Sequence, residues 1–205
     1  MNSSPQHDRI CHDLVSQGWT VIDGYFEPEL IKLLADECHR QQQLGLLQAA
    51  RIGRLEQNRA AESIRGDQIR WLESGMAPCI DQFLAQIEAL RSLFNRRLYL
   101  GLEECENHFA YYPAGAFYRK HLDRFQNSDS RVISSVLYLN PDWVSEHGGE
   151  LRLHLEEGRY EDIEPVANRL VLFISAQILH EVLPTTVERM SLTGWFRRHG
   201  IESSV

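Results

Sequence analysis

The chain has 205 residues, of which 43% are hydrophobic and 24% charged, and its formal net charge is −8. This length and composition are typical of one globular domain with a hydrophobic core. The acidic balance gives no electrostatic reason to bind a phosphate backbone, so we expect no nucleic-acid partner. The sequence contains no run of about 18 apolar residues, so we expect no membrane partner.

The cysteines and the amino terminus bear on the cellular compartment. The four cysteines are Cys11, Cys38, Cys79 and Cys105. None forms a CxxC pair, and their spacing matches no zinc-binding pattern. The amino-terminal residues lack the apolar segment of a secretory signal. We therefore expect reduced thiols in a cytoplasmic protein.

The first half of the chain is predicted to be mainly helical. Apolar residues recur there at helical spacing, and prolines stand at positions that suit a first helical turn. The predicted helices cover residues 5–18, 28–43 and 78–95, with short strands at 19–22 and within 64–73. Residues 45–63 have weak periodicity and are predicted to form a mobile loop.

After residue 98, short segments rich in Val, Ile, Tyr and Phe are separated by Gly, Pro, Asn and Asp. This pattern is typical of the strands of a sandwich or barrel. The predicted strands cover residues 105–112, 116–122, 132–139, 150–154, 169–174, 178–183 and 190–197. We therefore predict one domain of the α+β class, mainly β, with helical support over about 1–97 and a β core over about 98–199.

One predicted strand ends in the motif His121-Leu122-Asp123. Residues i and i+2 of a strand point to the same face, so His121 and Asp123 are expected to project into one cavity. His180 is the candidate for a third ligand, with His154 as the alternative. Two imidazoles and one carboxylate form the facial triad of non-haem iron(II) oxygenases, whereas a closed zinc site needs four protein ligands.

Arg189 follows His180 by nine residues, across a turn at Pro184-Thr185-Thr186. We expect the two flanking strands to be antiparallel neighbours, which would bring Arg189 to the depth of the metal. A guanidinium is a two-pronged donor for a carboxylate such as the distal one of 2-oxoglutarate. An arginine in a strand is otherwise a solvated surface charge. Thr193 and Trp195 are expected on the same face as Arg189.

From about Cys105 to His199 the sequence resembles the prolyl hydroxylase domain family of 2-oxoglutarate oxygenases, both its oxygen-sensing animal members and their bacterial relatives. The matching segments are IRGDQIRW at 64–71, YYP at 111–113, YRKHLD at 118–123, VLYLN at 136–140, DW at 142–143, GGELR at 148–152, DIEP at 162–165, NRL at 168–170, HEV at 180–182 and RMSLTGW at 189–195. Together these segments are specific, although each alone is a weak signal.

The resemblance implies a double-stranded β-helix, or jelly-roll, core that uses Fe(II), 2-oxoglutarate and O2, with ascorbate as a further candidate cofactor. It implies that His121, Asp123 and His180 bind the metal. It also implies that Arg189 and Tyr138 hold the distal carboxylate of 2-oxoglutarate. The residues that would line that pocket are Tyr112 and Thr193.

The resemblance further implies a peptide-binding region. Arg131 and Trp195 match positions that contact the peptide, and Arg65 and Asp67 match a pair at the base of a mobile loop near 52–66. The turn before His121 is one residue shorter than in the animal enzymes, and the loop sequence differs. These two departures concern the identity of the substrate and not the metal chemistry.

The predicted function is therefore Fe(II)- and 2-oxoglutarate-dependent prolyl 4-hydroxylation of a protein, with a prolyl residue of elongation factor Tu as the leading substrate and oxygen sensing as a further hypothesis. One alternative is a hydroxylase of a small molecule such as free proline. Another is a metal-binding jelly-roll sensor without turnover. Arg189 argues against the sensor, because a pure metal binder needs no carboxylate anchor.

Overall fold

The computed structural model describes residues 4–50, 64–123 and 130–199. Three α-helices lie in these ranges, and each begins at a proline whose missing N–H costs no helical hydrogen bond in the first turn. They are α1 (Pro5–Ser16), α2 (Pro28–Gln43) and α3 (Pro78–Leu98). Among the described residues, none of the helices is long and apolar enough to span a membrane.

Eleven strands are found in the same ranges. They are β1 (Trp19–Asp23), β2 (Gln48–Ala49), β3 (Gln68–Trp71), β4 (Glu104–Tyr112), β5 (Tyr118–His121), β6 (Arg131–Tyr138), β7 (Leu151–His154), β8 (Tyr160–Ile163), β9 (Arg169–Ile174), β10 (Leu179–Val182) and β11 (Arg189–Arg197). The helix at 28–43 and the strand at 169–174 have the predicted bounds. The bounds of most other elements differ from the predicted ones by one to three residues.

The strands form two antiparallel sheets. The major sheet has the order β1-β9-β6-β11-β4-β3-β2, and the minor sheet has the order β5-β10-β7-β8. From β4 onward the chain passes repeatedly from one sheet to the other, which is the winding of a double-stranded β-helix. The predicted jelly-roll fold is confirmed, and β1, β2 and β3 from the first half of the chain extend its major sheet.

The two faces of the major sheet bury different cores. Along β11, Met190, Leu192 and Phe196 belong to the apolar core that packs against the helices. Since side chains alternate along a strand, Arg189, Ser191, Thr193 and Trp195 face the space between the two sheets. That second core is smaller and includes buried aromatic residues such as Tyr112 and Tyr138. The polar residues of β11 thus lie in the interior of the jelly roll.

Two elements differ from the prediction. Strand β8 was not expected, because three of its four residues are exposed and the segment Tyr160–Ile163 reads as a polar loop. The short strand β2 falls in the segment expected to be a loop, and most of that segment, residues 51–63, lies outside the described residues.

The expected pairing of the strands that carry His180 and Arg189 is wrong. Strand β10 lies in the minor sheet between β5 and β7, whereas β11 lies in the major sheet between β6 and β4. The segment 183–188 crosses from one sheet to the other and does not form a hairpin. Its Thr185 N–H donates to Ala116 O at 3.1 Å, and Gly149 N–H donates to Pro184 O at 3.0 Å. Arg189 therefore faces the site from the opposite sheet.

Candidate active site

His121, Asp123 and His180 form the one group of three or more potential metal ligands found among the described residues. Their ligand atoms all lie within 4.8 Å of one another. The two histidines are opposite each other in the register of β5 and β10. Strand β5 ends at His121, so Asp123 is positioned by the bend that follows and not by strand alternation, as the sequence had suggested.

The two imidazole rings are oriented by hydrogen bonds to the backbone. His121 Nδ1 lies 2.7 Å from Arg119 O, and His180 Nδ1 lies 3.0 Å from Ile178 O. A carbonyl oxygen only accepts, so each Nδ1 carries a proton, and in the neutral form of each ring Nε2 keeps a lone pair. The Nε2 atoms lie 3.5 Å and 3.7 Å from the carboxylate oxygens of Asp123. This tautomer is the one that a metal-binding histidine needs.

The protonation states of Asp123 and His180 also suit a divalent cation. Burial is the largest single influence on Asp123 and raises its pKa. The two imidazoles and a hydrogen bond from Ser134 act in the other direction, and together they hold the pKa of Asp123 well below its ordinary value. Burial lowers the pKa of His180, so that its ring is neutral at physiological pH. An ionised carboxylate and the neutral imidazole of His180 are ligands that fit iron(II).

His154, the alternative third ligand, points away from this group. In the register of β7 and β10, Leu153 is opposite His180, so the side chain of His154 lies on the other face of the minor sheet. There its Nε2 lies 2.9 Å from Glu181 Oε1. The structure therefore favours His180 over His154.

Arg189 is buried, with 1% of its surface exposed. Its Nε donates to Gly149 O at 2.8 Å. No carboxylate of the described residues lies within ion-pair distance of its guanidinium, which faces the rings of Tyr112 and Tyr138 at 4.9 Å and 5.0 Å. Gly149 has a positive φ of +71°, and a Cβ there would lie 3.1 Å from Arg189 Cδ. Glycine thus lets the backbone approach the arginine closely.

A buried guanidinium without a carboxylate partner is costly unless an anion binds to it. The nearby hydroxyl of Tyr138 is buried and has no hydrogen-bond partner among the described residues. Burial raises the pKa of Tyr138 to about 12, so the phenol is protonated and can donate. These groups fit the distal carboxylate of 2-oxoglutarate. Thr193 lies two positions beyond Ser191 on the same face, with the two hydroxyl oxygens 3.4 Å apart.

The predicted peptide-contact residues lie in an aromatic cluster at one side of the site. The guanidinium of Arg131 stacks on the ring of Trp195 at 3.4 Å and pairs with Glu106 at 2.8 Å. The other face of the cluster is formed by His108, whose ring stacks on Trp195 with centroids 5.4 Å apart, and by Trp71, 4.9 Å from His108. Trp71 is 44% exposed and gives the cluster a surface open to solvent.

Sequence reasoning missed His108 and Trp71 as members of this cluster. Strand pairing brings them together, because Thr193 is opposite His108 in β4 and His108 is opposite Trp71 in β3. His108 is almost fully buried, and its Nδ1 has no hydrogen-bond partner among the described residues. The alternation of β4, read outward from Tyr112, could have assigned His108 to the interior of the jelly roll.

Arg65 and Asp67 form a bidentate pair beside the metal-binding group. Two hydrogen bonds of 2.6 Å join the guanidinium to the carboxylate, and the side chain of Asp67 is fully buried. Burial opposes the charge of Arg65, but the bonds to Asp67 outweigh it and raise the pKa of Arg65. Arg65 also covers the ring of Tyr118 at 4.3 Å, and that ring stacks on His121 at 3.7 Å. The pair thus supports a histidine of the triad.

Comparisons with known proteins agree with this geometry. Residues 107–197 match the model of the 2OG-Fe(II) oxygenase superfamily. The human protein "Prolyl hydroxylase EGLN3" is 36% identical over 168 residues, which are 77% of this chain and 70% of that protein.

Solved structures of similar proteins cover nearly the whole chain. A prolyl-4-hydroxylase from Pseudomonas putida is 47% identical, with a TM-score of 0.87 over 95% of this chain and all of that one. A prolyl hydroxylase from Trichoplax adhaerens, solved with a peptide of hypoxia inducible factor, is 28% identical, with a TM-score of 0.84 over 94% of this chain and 89% of that one.

Fold, site chemistry and sequence similarity therefore agree on one family. Its members use Fe(II), 2-oxoglutarate and O2. The chain belongs to the prolyl hydroxylase family of 2-oxoglutarate- and Fe(II)-dependent dioxygenases.

Proposed function

We propose that the protein hydroxylates a prolyl residue of a protein substrate at C4, with His121, Asp123 and His180 as iron(II) ligands. The observation that carries the proposal is the pairing of this triad with Arg189, a buried cation that has no carboxylate partner among the described residues. A metal-binding protein without turnover has no use for such a cation, whereas a 2-oxoglutarate oxygenase needs it.

The bound iron, with 2-oxoglutarate and dioxygen, would supply the oxidising power to hydroxylate an unactivated C–H bond, with succinate and carbon dioxide as coproducts. Arg189 and Tyr138 would anchor the distal carboxylate, and Tyr112 and Thr193 would line the same pocket. The apolar core between the sheets would keep water from the reacting groups. Ascorbate belongs to the proposal as a reductant that keeps the iron in its ferrous state.

The aromatic cluster favours a peptide over a small molecule. Trp71 is partly exposed, and Trp195 is held by Arg131 on one face and His108 on the other. Rigid, partly exposed aromatic groups are the anchors that protein–protein interfaces prefer. The peptide bound to the Trichoplax relative points in the same direction.

The substrate and the cellular role form a finer proposal. The resemblance to bacterial relatives makes a prolyl residue of elongation factor Tu the first protein to test. Because dioxygen is a cosubstrate of the family, the extent of hydroxylation could report oxygen level. The four free cysteines fit a reducing compartment, and we propose a cytoplasmic location.

A turnover assay with three alternative substrates, each in a separate reaction, tests the proposal. The protein is incubated with Fe(II), 2-oxoglutarate and ascorbate, and with elongation factor Tu, a prolyl peptide or free proline. We expect succinate together with one added oxygen atom on a prolyl residue of the protein or peptide. Turnover of free proline alone would support the small-molecule hydroxylase, and metal binding with no succinate in any arm would support the sensor.

A further inference from the structure

A chain of two buried serine hydroxyls leads to the carboxylate of Asp123. Ser134 Oγ lies 2.7 Å from Asp123 Oδ2, and Ser175 Oγ lies 2.9 Å from Ser134 Oγ. Neither serine has any exposed surface. The two hydroxyls therefore depend on each other and on Asp123 for hydrogen bonding, because water does not reach them.

The direction of each hydrogen bond follows from the charge of Asp123. An ionised carboxylate only accepts, so the hydroxyl of Ser134 donates to it. Ser134 then has no second proton, and the contact between the serines requires Ser175 to donate to Ser134. The order Ser175 to Ser134 to Asp123 is the single arrangement that satisfies all three groups, and bonds in such a chain strengthen one another.

The backbone holds both serines in place. Ser134 lies in β6, an inner strand of the major sheet, opposite Trp195 of β11. Ser175 directly follows β9, and its N–H donates to Val132 O of β6 at 3.0 Å. Ser134 is thus held within a strand of the sheet and Ser175 at the end of the neighbouring strand, while Asp123 lies in a bend outside any strand. A ligand in a bend needs an external support more than one within a strand does.

We propose that Ser134 and Ser175 form a relay that positions Asp123 and sets how tightly the site retains its metal. Both serines are positioning residues, and Ser175 acts only through Ser134. The inference rests on the proposed metal site. Hydrogen bonds to ligating carboxylates orient the ligand, and the loss of such a partner weakens metal binding by about 10- to 100-fold.

Metal affinity measured on the full chain tests the relay. Co(II) is titrated under calorimetric and absorption detection, and Fe(II) is titrated without oxygen. We expect Ser134→Ala to weaken binding by about 10- to 100-fold and to change the Co(II) spectrum. Ser175→Ala should weaken binding by ~2- to 10-fold, the range of one hydrogen bond. The double variant should match Ser134→Ala within about twofold.

Two further variants separate the hydroxyl from packing and folding. Ser134→Thr keeps the hydroxyl and should restore an affinity near that of the wild type. Ser135→Ala removes the next buried serine of β6, on the opposite face of the sheet, and should leave the affinity unchanged. Thermal unfolding of the metal-free variants shows which of them are folded.

The outcomes distinguish the relay from the metal site itself. If Asp123→Ala abolishes metal binding while Ser134→Ala binds as the wild type does, the relay is wrong and the site stands. If Asp123→Ala leaves metal binding unchanged, the proposed site is wrong. If the losses of Ser134→Ala and Ser175→Ala add in the double variant, Ser175 acts independently and the relay is overturned.

Discussion

The guanidinium of Arg189 lies 5.0 Å from the centre of the Tyr138 ring, and both side chains are buried. One is a cation without a carboxylate partner among the described residues, and the other is a phenol whose hydroxyl has no hydrogen-bond partner there. The guanidinium and the hydroxyl come from neighbouring strands, β11 and β6. Their proximity is the structural reason for our proposal that both groups bind the distal carboxylate of 2-oxoglutarate.

Replacing Arg189 by methionine should separate cosubstrate binding from stability. The loss of two charge-assisted hydrogen bonds should weaken 2-oxoglutarate binding by at least about 100-fold. Because the variant also removes an uncompensated buried charge, the free energy of unfolding without ligands should stay within ~1 kcal/mol of the wild type. Calorimetric titration and urea unfolding measure the two quantities.

Arg152→Met is the matched control for this variant. Arg152 is partly exposed, pairs with Asp162 at 2.7 Å and lies on the outer face of the minor sheet. The Arg152→Met variant should leave 2-oxoglutarate binding unchanged. Wild-type affinity for 2-oxoglutarate in Arg189→Met would show that the anchor is elsewhere.

Tyr138→Phe removes a donor that the ligand-free protein does not use. We expect the KM for 2-oxoglutarate to rise by about 10-fold, the value of one hydrogen bond to a charged group. The free energy of unfolding should not fall, since no bond within the described structure is lost. Steady-state kinetics and thermal unfolding check both statements. A loss of stability with an unchanged KM would make Tyr138 an ordinary core residue.

Removing one partner of the Arg65–Asp67 pair should destabilise the fold. Asp67→Ala leaves the largely buried guanidinium of Arg65 without its counterion, which costs about 3–5 kcal/mol. Lys32→Ala, at the exposed Lys32–Asp36 pair, should cost less than ~1 kcal/mol. Urea unfolding measures both. Equal effects of the two variants would show that the Arg65–Asp67 pair is weak.

Trp195→Ala should impair use of a peptide and spare the cosubstrate. The loss of a central aromatic anchor should lower kcat/KM for the peptide by about 30-fold, corresponding to ~2 kcal/mol. Binding of 2-oxoglutarate should change by less than about threefold. Trp143→Phe is the control, since Trp143 contacts His147 and not the aromatic cluster. Equal losses for a prolyl peptide and for free proline would argue against a peptide-binding role.

Stability should fall with acidification partly because of His108. Burial lowers the pKa of His108 to about 3, whereas an unfolded histidine has a pKa of about 6.5. The unfolded chain therefore binds the proton more tightly. The stabilisation of the folded state that comes from neutral His108 is complete above pH ~6.5 and is lost progressively as the pH falls toward 3.

A His108→Gln variant isolates this contribution. Between pH 6.5 and 4.5 the free energy of unfolding of the metal-free protein should fall less steeply than in the wild type, by up to ~1.4 kcal/mol per pH unit. His180, whose pKa burial also lowers, is present in both proteins and cancels in the comparison. Parallel stability curves for the two proteins would contradict the burial argument.

Local sequence patterns predicted most of the fold. Apolar spacing and proline positions predicted α2 with its observed bounds, and a short apolar run predicted β9 with its observed bounds. Strand β8 was not predicted because it is an edge strand of the minor sheet in which only Ile163 is buried, so its sequence has no apolar alternation. The assignment of β10 and β11 to different sheets was not predicted either, because a crossing between sheets and a hairpin can use the same turn residues.

The candidate site was predicted less evenly. His121, Asp123 and His180 were found by motif and resemblance, and the structure places them together. Ser134, Ser175, His108 and Trp71 were not found, because their roles depend on contacts between strands far apart in sequence. A serine in a strand carries no local signal that its hydroxyl faces a carboxylate 11 positions away.

The central claim is tested most directly by the coupling between succinate and hydroxylated proline. Wild-type protein is supplied with Fe(II), 2-oxoglutarate and a prolyl protein or peptide substrate, and both products are counted by mass spectrometry. We predict one succinate for each oxygen atom added to a prolyl residue, and neither product with Arg189→Ala. A protein that binds iron(II) and 2-oxoglutarate but forms neither product with any prolyl substrate would contradict the account.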